Sequence, residues 1–146
     1  MKRNWETLTA TSYQESVAEL REALQNQEFD EVALGLDALY ESMSQESRRA
    51  LKSQLIRLMM HILKWTIQPE KRSRSWALSI ENARFLIRDL QEERPSLTRA
   101  VIERDFWAKA FAQAKREAAI ETGKRIDLDT LSWEAVMETD YQLPIE

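Results

Sequence analysis

The stretch "LKSQLIRLMMHILKW", residues 51–65, decides how the rest of the chain is read. Leu51, Leu55, Leu58, Ile62 and Trp65 recur at spacings of three and four, which is the period of an α-helix. Ile56, Met59, Met60 and Leu63 widen that stripe almost around the cylinder. A helix apolar nearly all round must be covered by others, so this segment predicts a central helix. It must stop near Gln68, because Pro69 disfavours the α region in the residue before it. Upstream it is expected to begin near Ser44.

The flanks repeat the pattern. "SYQE" (Ser12, Glu15) reads as a capping box, with Val17, Leu20 and Leu24 as the inner face of a helix behind it. Asp30 is the expected cap of a second helix, with Phe29 and Leu34 as a hydrophobic staple and Val32, Leu36, Leu39 and Met43 facing inward. Beyond Pro69 a helix starts at Pro69 itself, Ser73 or Ser75, and Trp76, Ile80, Ala83, Ile87 and Leu90 give it a face as far as Glu93. Pro95 restarts the chain. An Ala-rich helix with Leu97, Val101, Trp107 and Phe111 then ends at Gly123, a natural C′ residue. Asp129 or Thr130 would cap a short last helix through Trp133 and Met137. Two Gly and three Pro in 146 residues leave little turn chemistry for a sheet. The fold class expected is all-α: one compact domain over residues 1–146, five to six helices around the apolar third.

Composition narrows function. At this length a chain buries about 68–70% of the surface its unfolded form exposes, so a true core is possible. Without Cys there are no disulfides or thiolate metal sites. The basic start "MKR" is followed by no apolar h-region, and no run approaches a bilayer span, so the expectation is a cytoplasmic chain without membrane contact. His61 is the sole imidazole and has no carboxylate three or four residues away, so no metal site is expected. No Gly-rich loop cradles phosphate and no Gly-flanked Ser forms a nucleophile elbow; no cofactor is expected.

Charge is unevenly spread. The net is −7 over residues 1–47, +7 over 48–74 and −4 over 75–146. The basic middle offers two site readings. Arg57, His61 and Lys64 share one helix side and form a weak ribonuclease-like candidate, against the plainer reading of a polar seam partnered by the acidic first two helices. Arg48, Arg49, Lys52, Lys71, Arg72 and Arg74 are candidates for anion or nucleic-acid binding. Trp65 and Trp76 lie on apolar stripes, which suits core better than base stacking. Arg72 and Arg74 fall near a helix start, where positive charge is unfavourable without an anionic partner.

The segments "RRALKSQL" (48–55), "HILKW" (61–65), "QPEKRSRSW" (68–76), "PSL" (95–97) and "ETG" (121–123) resemble, in order and spacing, the bacterial domain-of-unknown-function family numbered 29. The likeness runs from about Phe29 to Pro144. It implies a small helical domain and no established activity. The motif positions it carries are His61, Lys64, Trp65, Gln68, Pro69, Arg72, Ser73, Arg74 and Trp76. Two features depart from the pattern: an acidic cluster ahead of the third helix is represented by Glu41 of "DALYESM" alone, and a Phe-Pro…Cys-Pro segment near the C-terminus is shortened away. With no complete catalytic constellation in view, the expected role is a non-enzymatic interaction module that binds a protein partner or a second copy. Nucleic-acid binding is the alternative, and ribonuclease-like activity the weaker one.

Overall fold

The computed structural model describes residues 2–146 and is all-α, with no strand among them. Helix α1 spans Trp5–Thr11, α2 Tyr13–Gln25, α3 Phe29–Ile67 and α4 Arg74–Glu93, with a 3₁₀ turn at Pro69–Lys71. Helix α5 (Arg99–Ile102) passes through a π turn, Glu103–Trp107, into α6 (Ala108–Thr122), and α7 covers Trp133–Met137. The predicted break at Ser44 is absent: α3 is one helix of 39 residues. Asp30 lies inside it rather than capping it. No Gly or Pro occurs between Gly35 and Pro69, so nothing interrupts backbone hydrogen bonding there. Within the chain the residues group into two compact units, one ending at Arg49 and the other spanning Ala50–Glu146.

The first unit is a helical hairpin with α1 against it. Asn4 and Ser12 accept from the backbone N–H of Thr7 and Glu15, each at 3.2 Å, and so cap α1 and α2. The turn into α3 uses Gln27 at φ 58°, and the Glu28 N–H donates to the Ala23 carbonyl at 2.8 Å. α2 and α3 run antiparallel: Leu20 meets Gly35, and the Tyr13 hydroxyl donates to Glu46. The helices touch through small residues. Ser16, Ala23 and Gly35 are buried, whereas Val17, Leu24, Leu36 and Met43, predicted to face inward, are 47%, 54%, 54% and 47% exposed. Phe29 and Leu34 form no staple and are exposed as well. α1, which the sequence pattern does not announce, closes the other side. Its Trp5 indole donates to Glu31 at 2.7 Å, and Ser42 donates to the Thr9 carbonyl.

The second unit is built on the C-terminal half of α3. Leu51, Leu55, Leu58, Met59, Ile62 and Leu63 are fully buried, as the stripe predicts. Each such side chain contributes about 1.5–3 kcal/mol on burial. Ile80, Ala83 and Ile87 of α4 face them, with Ile102, Phe106, Trp107, Ala110, Phe111, Ala114 and Ala118 from α5 through α6. The π turn sets Phe106 and Trp107 inward side by side, where Trp107 donates to the Leu131 carbonyl at 2.8 Å and stacks on Trp133. Gly123 ends α6 at φ 68°, as its position predicts. Ser132, rather than Asp129 or Thr130, caps α7. Arg84 and Arg88 reach from α4 to the Val136 and Met137 carbonyls at 2.8 and 2.9 Å, answering groups α7 leaves unpaired at its end.

A methyl group on Gly35 would sit 2.6 Å from Leu20 Cδ2 and 2.9 Å from the Trp5 ring, which its bond to Glu31 holds in place. Gly35→Ala is therefore expected to destabilise the first unit by about 1–3 kcal/mol through overpacking. That sign is opposite to the gain in helix propensity. Thermal unfolding followed by circular dichroism checks it.

Candidate functional site

The motif around Pro69 is a helix terminus and its closure. α3 leaves carbonyls without N–H partners after Ile67. The Gln68 N–H takes the Lys64 carbonyl at 2.9 Å. Arg72 turns back to donate its Nε to the Trp65 carbonyl at 2.8 Å, with its guanidinium 5.0 Å from the Trp65 ring centroid. Lys124 donates to the Ile67 carbonyl at 3.4 Å and lies 3.7 Å from Glu70. Cations at the negative end of a helix are favourable, so this placement offsets the cost of positive charge near the start of α4. Ser73 caps α4 through the Trp76 N–H, which settles the start of that helix. Pro69 opens the 3₁₀ turn instead.

Lys64 is buried beneath this closure. Its ammonium pairs with Glu121 of α6 at 2.7 Å and sits 4.6 Å from the Trp76 ring centroid. Arg74 donates to the Pro144 carbonyl at 2.8 Å, and Trp65 meets Tyr141 edge to face. Gln68 is buried too. Lys64 is thus buried in the second unit, while Arg72 and Arg74 each place one donor on a backbone carbonyl and stay exposed.

His61 is half-buried and donates its Nδ1–H to the Arg57 carbonyl at 2.8 Å, not to a guanidinium or a carboxylate. Burial lowers its pKa, and the positive charges of Lys64 and Arg57 lower it further, against that backbone bond and Glu121. Ser53, Arg57, His61, Gln113 and Glu117 border a groove of about 500 Å³. The acidic neighbours of this polar seam come from α6. Lys64 turns away to Glu121, so the three candidates of the ribonuclease reading do not converge on one point. No group of three or more His, Asp or Glu among the described residues is placed to hold a metal. The other four anion candidates, Arg48, Arg49, Lys52 and Lys71, are exposed as Arg72 and Arg74 are, and Arg49 donates to Gln45 at 3.4 Å.

The feature that periodicity located but placed on the wrong side is the apolar row of the hairpin. At about 100° per residue, Val17 and Leu24 lie some 80–100° on from the buried Ser16, and Leu36 and Met43 the same from Gly35. In two antiparallel helices facing each other, that common sense of rotation brings both rows to one side. α1 occupies the opposite side, with Trp5 on Glu31 and Thr9 on Ser42. The result is an open strip of Val17, Leu20 and Leu24 beside Val32, Leu36 and Met43, with the exposed Phe29 and Tyr40 at its edge.

Removing Glu121 strands a buried ammonium, whereas removing the charge on Lys64 leaves a half-exposed carboxylate to water. Glu121→Ala is expected to cost about 1–3 kcal/mol. Lys64→Met, which keeps an apolar stem against Trp76, should cost distinctly less; urea unfolding compares the two. His61 gives a pH signature. Below the ordinary histidine pKa of about 6.5, the unfolded chain takes up a proton that the folded chain resists, so stability falls on acidification. The loss between about pH 7.5 and 5.5 should be smaller in His61→Gln, as denaturant titrations at each pH would record.

The family model described as Domain of unknown function DUF29 matches residues 8–142, and the chain belongs to that family. The match reaches further upstream than the motif around Pro69, taking in α2. No curated protein and no solved structure matches the chain.

Proposed function

We propose that this member of the family acts as a non-enzymatic protein-interaction module, and that the open apolar side of the α2–α3 hairpin is its binding face. The observation that carries this reading is the exposure of large apolar side chains in two adjoining rows, Val17 and Leu24 beside Leu36 and Met43. Single exposed apolar residues need no explanation, but a contiguous strip of them marks an interaction surface. Helices that offer apolar residues at i, i+3 and i+4 spacing are suited to receiving another helix.

The nucleic-acid reading rests on Arg48, Arg49, Lys52, Lys71, Arg72 and Arg74. Arg72 and Arg74 stay exposed but each holds a carbonyl, of Trp65 and Pro144, so a structural role already accounts for their positions. The ribonuclease reading needs Arg57, His61 and Lys64 to meet on a substrate, and Lys64 is committed to Glu121. No helix among the described residues is long and apolar enough to cross a membrane.

A photo-crosslinking residue at position 36 is expected to join the chain to another polypeptide in cells that produce it. The same residue at the exposed Ile120 of α6 serves as the control and should give no such adduct. Adducts from position 120 alone would overturn the assignment of the face. So would salt-sensitive binding of short RNA or DNA by the purified chain, steep between about 50 and 200 mM salt as phosphate contacts require.

A further inference from the structure

We propose that the outward face of α4 pairs with the same face of a second copy of the chain, antiparallel, to make a two-fold dimer. This surface lies within the second unit and stands independently of the hairpin face. Leu78 and Phe85 are 61% and 67% exposed. At about 100° per residue they lie about 20° apart, on the side of α4 opposite the buried Ile80, Ala83 and Ile87. By the same count Arg74, Asp89 and Glu92 lie within about 40° of both, and all three are exposed. The apolar pair and its charged neighbours therefore share one face.

Those charges run against the dipole of their own helix. Arg74 stands in the first turn of α4, which holds no acidic residue. Glu92 and Glu93 close the last turn, which holds no basic one, ahead of the cap Arg94. Each placement is unfavourable in a helix left by itself. Arg72, just upstream, is answered by the end of α3. Arg74 lends one donor to the Pro144 carbonyl, and among the described residues no ion pair holds Arg74, Asp89, Glu92 or Glu93.

An antiparallel copy supplies the missing partners at both ends. The register that sets Leu78 against Phe85 of the second copy also sets Arg74 level with Asp89 of that copy, because both pairs are centred between Glu81 and Asn82. Glu92 of the second copy then stands about one turn further along. Two-fold symmetry repeats every contact, so two apolar pairs are bounded at each end by a cation and carboxylates. Near the centre Glu81 is drawn to Arg84 of its own helix at 3.6 Å, and Arg88 turns aside to the Met137 carbonyl. Residues 71–93 hold five basic and four acidic side chains, so two copies bring no large like charge together. A parallel pairing would set Arg74 on Arg74 and Glu92 on Glu92. α4 has 20 residues, about 30 Å of helix. One helix pair is smaller than the roughly 800 Å² per partner of a standard interface, so dissociation is expected in the micromolar range.

Sedimentation equilibrium of the full chain from about 5 to 300 μM spans that range. The average mass should rise from 17.2 kDa toward twice that value. Leu78→Glu with Phe85→Glu should hold the chain at the monomer mass. Ile120→Glu, at an α6 residue that is 75% exposed, should not. Arg74→Glu in one variant, and Asp89→Arg with Glu92→Arg in another, should each weaken self-association at least about tenfold. An equimolar mixture of those two variants should restore it, because every end contact then joins opposite charges. Mixing cannot rescue a chain that has failed to fold, so restoration reports the contact itself.

A mass that stays at 17.2 kDa across the range would overturn the dimer. A dimer dissociated by Val17→Glu with Leu36→Glu, and not by the Leu78/Phe85 pair, would overturn the α4 face. Self-association lost in both charge variants and not restored by mixing them would overturn the antiparallel register.

Discussion

The end of α3 is the constraint on which the second unit depends. A long helix that stops inside a fold leaves several carbonyls without partners, and burying them unpaired is expensive. Here Arg72 and Lys124 supply the donors, one from just beyond the helix and one from beyond α6. Because the donors are cations at a helix C-terminus, the same contacts oppose the accumulated dipole. The direction in which α4 leaves, the seat of Trp65 and the approach of α6 through Glu121 all follow from this closure. A basic motif beside two tryptophans has the composition of a phosphate-binding surface, yet Lys64 is buried against Glu121 and Trp76, and Arg72 and Arg74 each hold a main-chain oxygen.

The same device recurs at α7. A five-residue helix cannot satisfy its own ends, and Arg84 and Arg88 from α4 answer its last carbonyls. Arg84 is buried, which holds its pKa below the usual arginine value although its partners favour the cation. Tyr141 covers that guanidinium and donates its hydroxyl to the Ala135 carbonyl at 2.7 Å. Arginine in this chain thus fastens backbone in two places, a use that residue counts and net charge do not distinguish from ligand binding.

What could be read from the residues follows the strength of each local signal. The all-α class, the buried stripe of Leu51, Leu55 and Leu58, the stop at Pro69 and the Gly123 terminus were legible because each has one dominant cause. The hairpin was not. Periodicity finds the apolar row of a helix, but α2 and α3 meet through Ser16, Ala23 and Gly35, since small side chains allow close approach. The row that looked like core is therefore the row left open. Ser44 was misleading because a good capping residue caps only where the helix ends, and no breaker lies nearby. α1 escaped notice because seven largely polar residues carry no period; only Asn4 and the buried Trp5 mark it. At the candidate site, the residues of the motif were identifiable from their spacing, while their partners Glu121 and Pro144 lie 57 and 70 residues away and have no local signature.

The π turn at Glu103–Trp107 has a consequence for chain length. It is one residue more than an α-helix of the same span needs, stored where Glu103, Arg104 and Asp105 are all exposed. Deleting one of those three would return the segment to an unbroken α-helix over the same span, with Thr98, Val101 and Ile102 on one side and Phe106 through Ala118 on the other keeping their faces. The same deletion from an uninterrupted α-helix would turn everything before it by about 100° and draw it in by about 1.5 Å. The chain can therefore lose one residue here without moving its core.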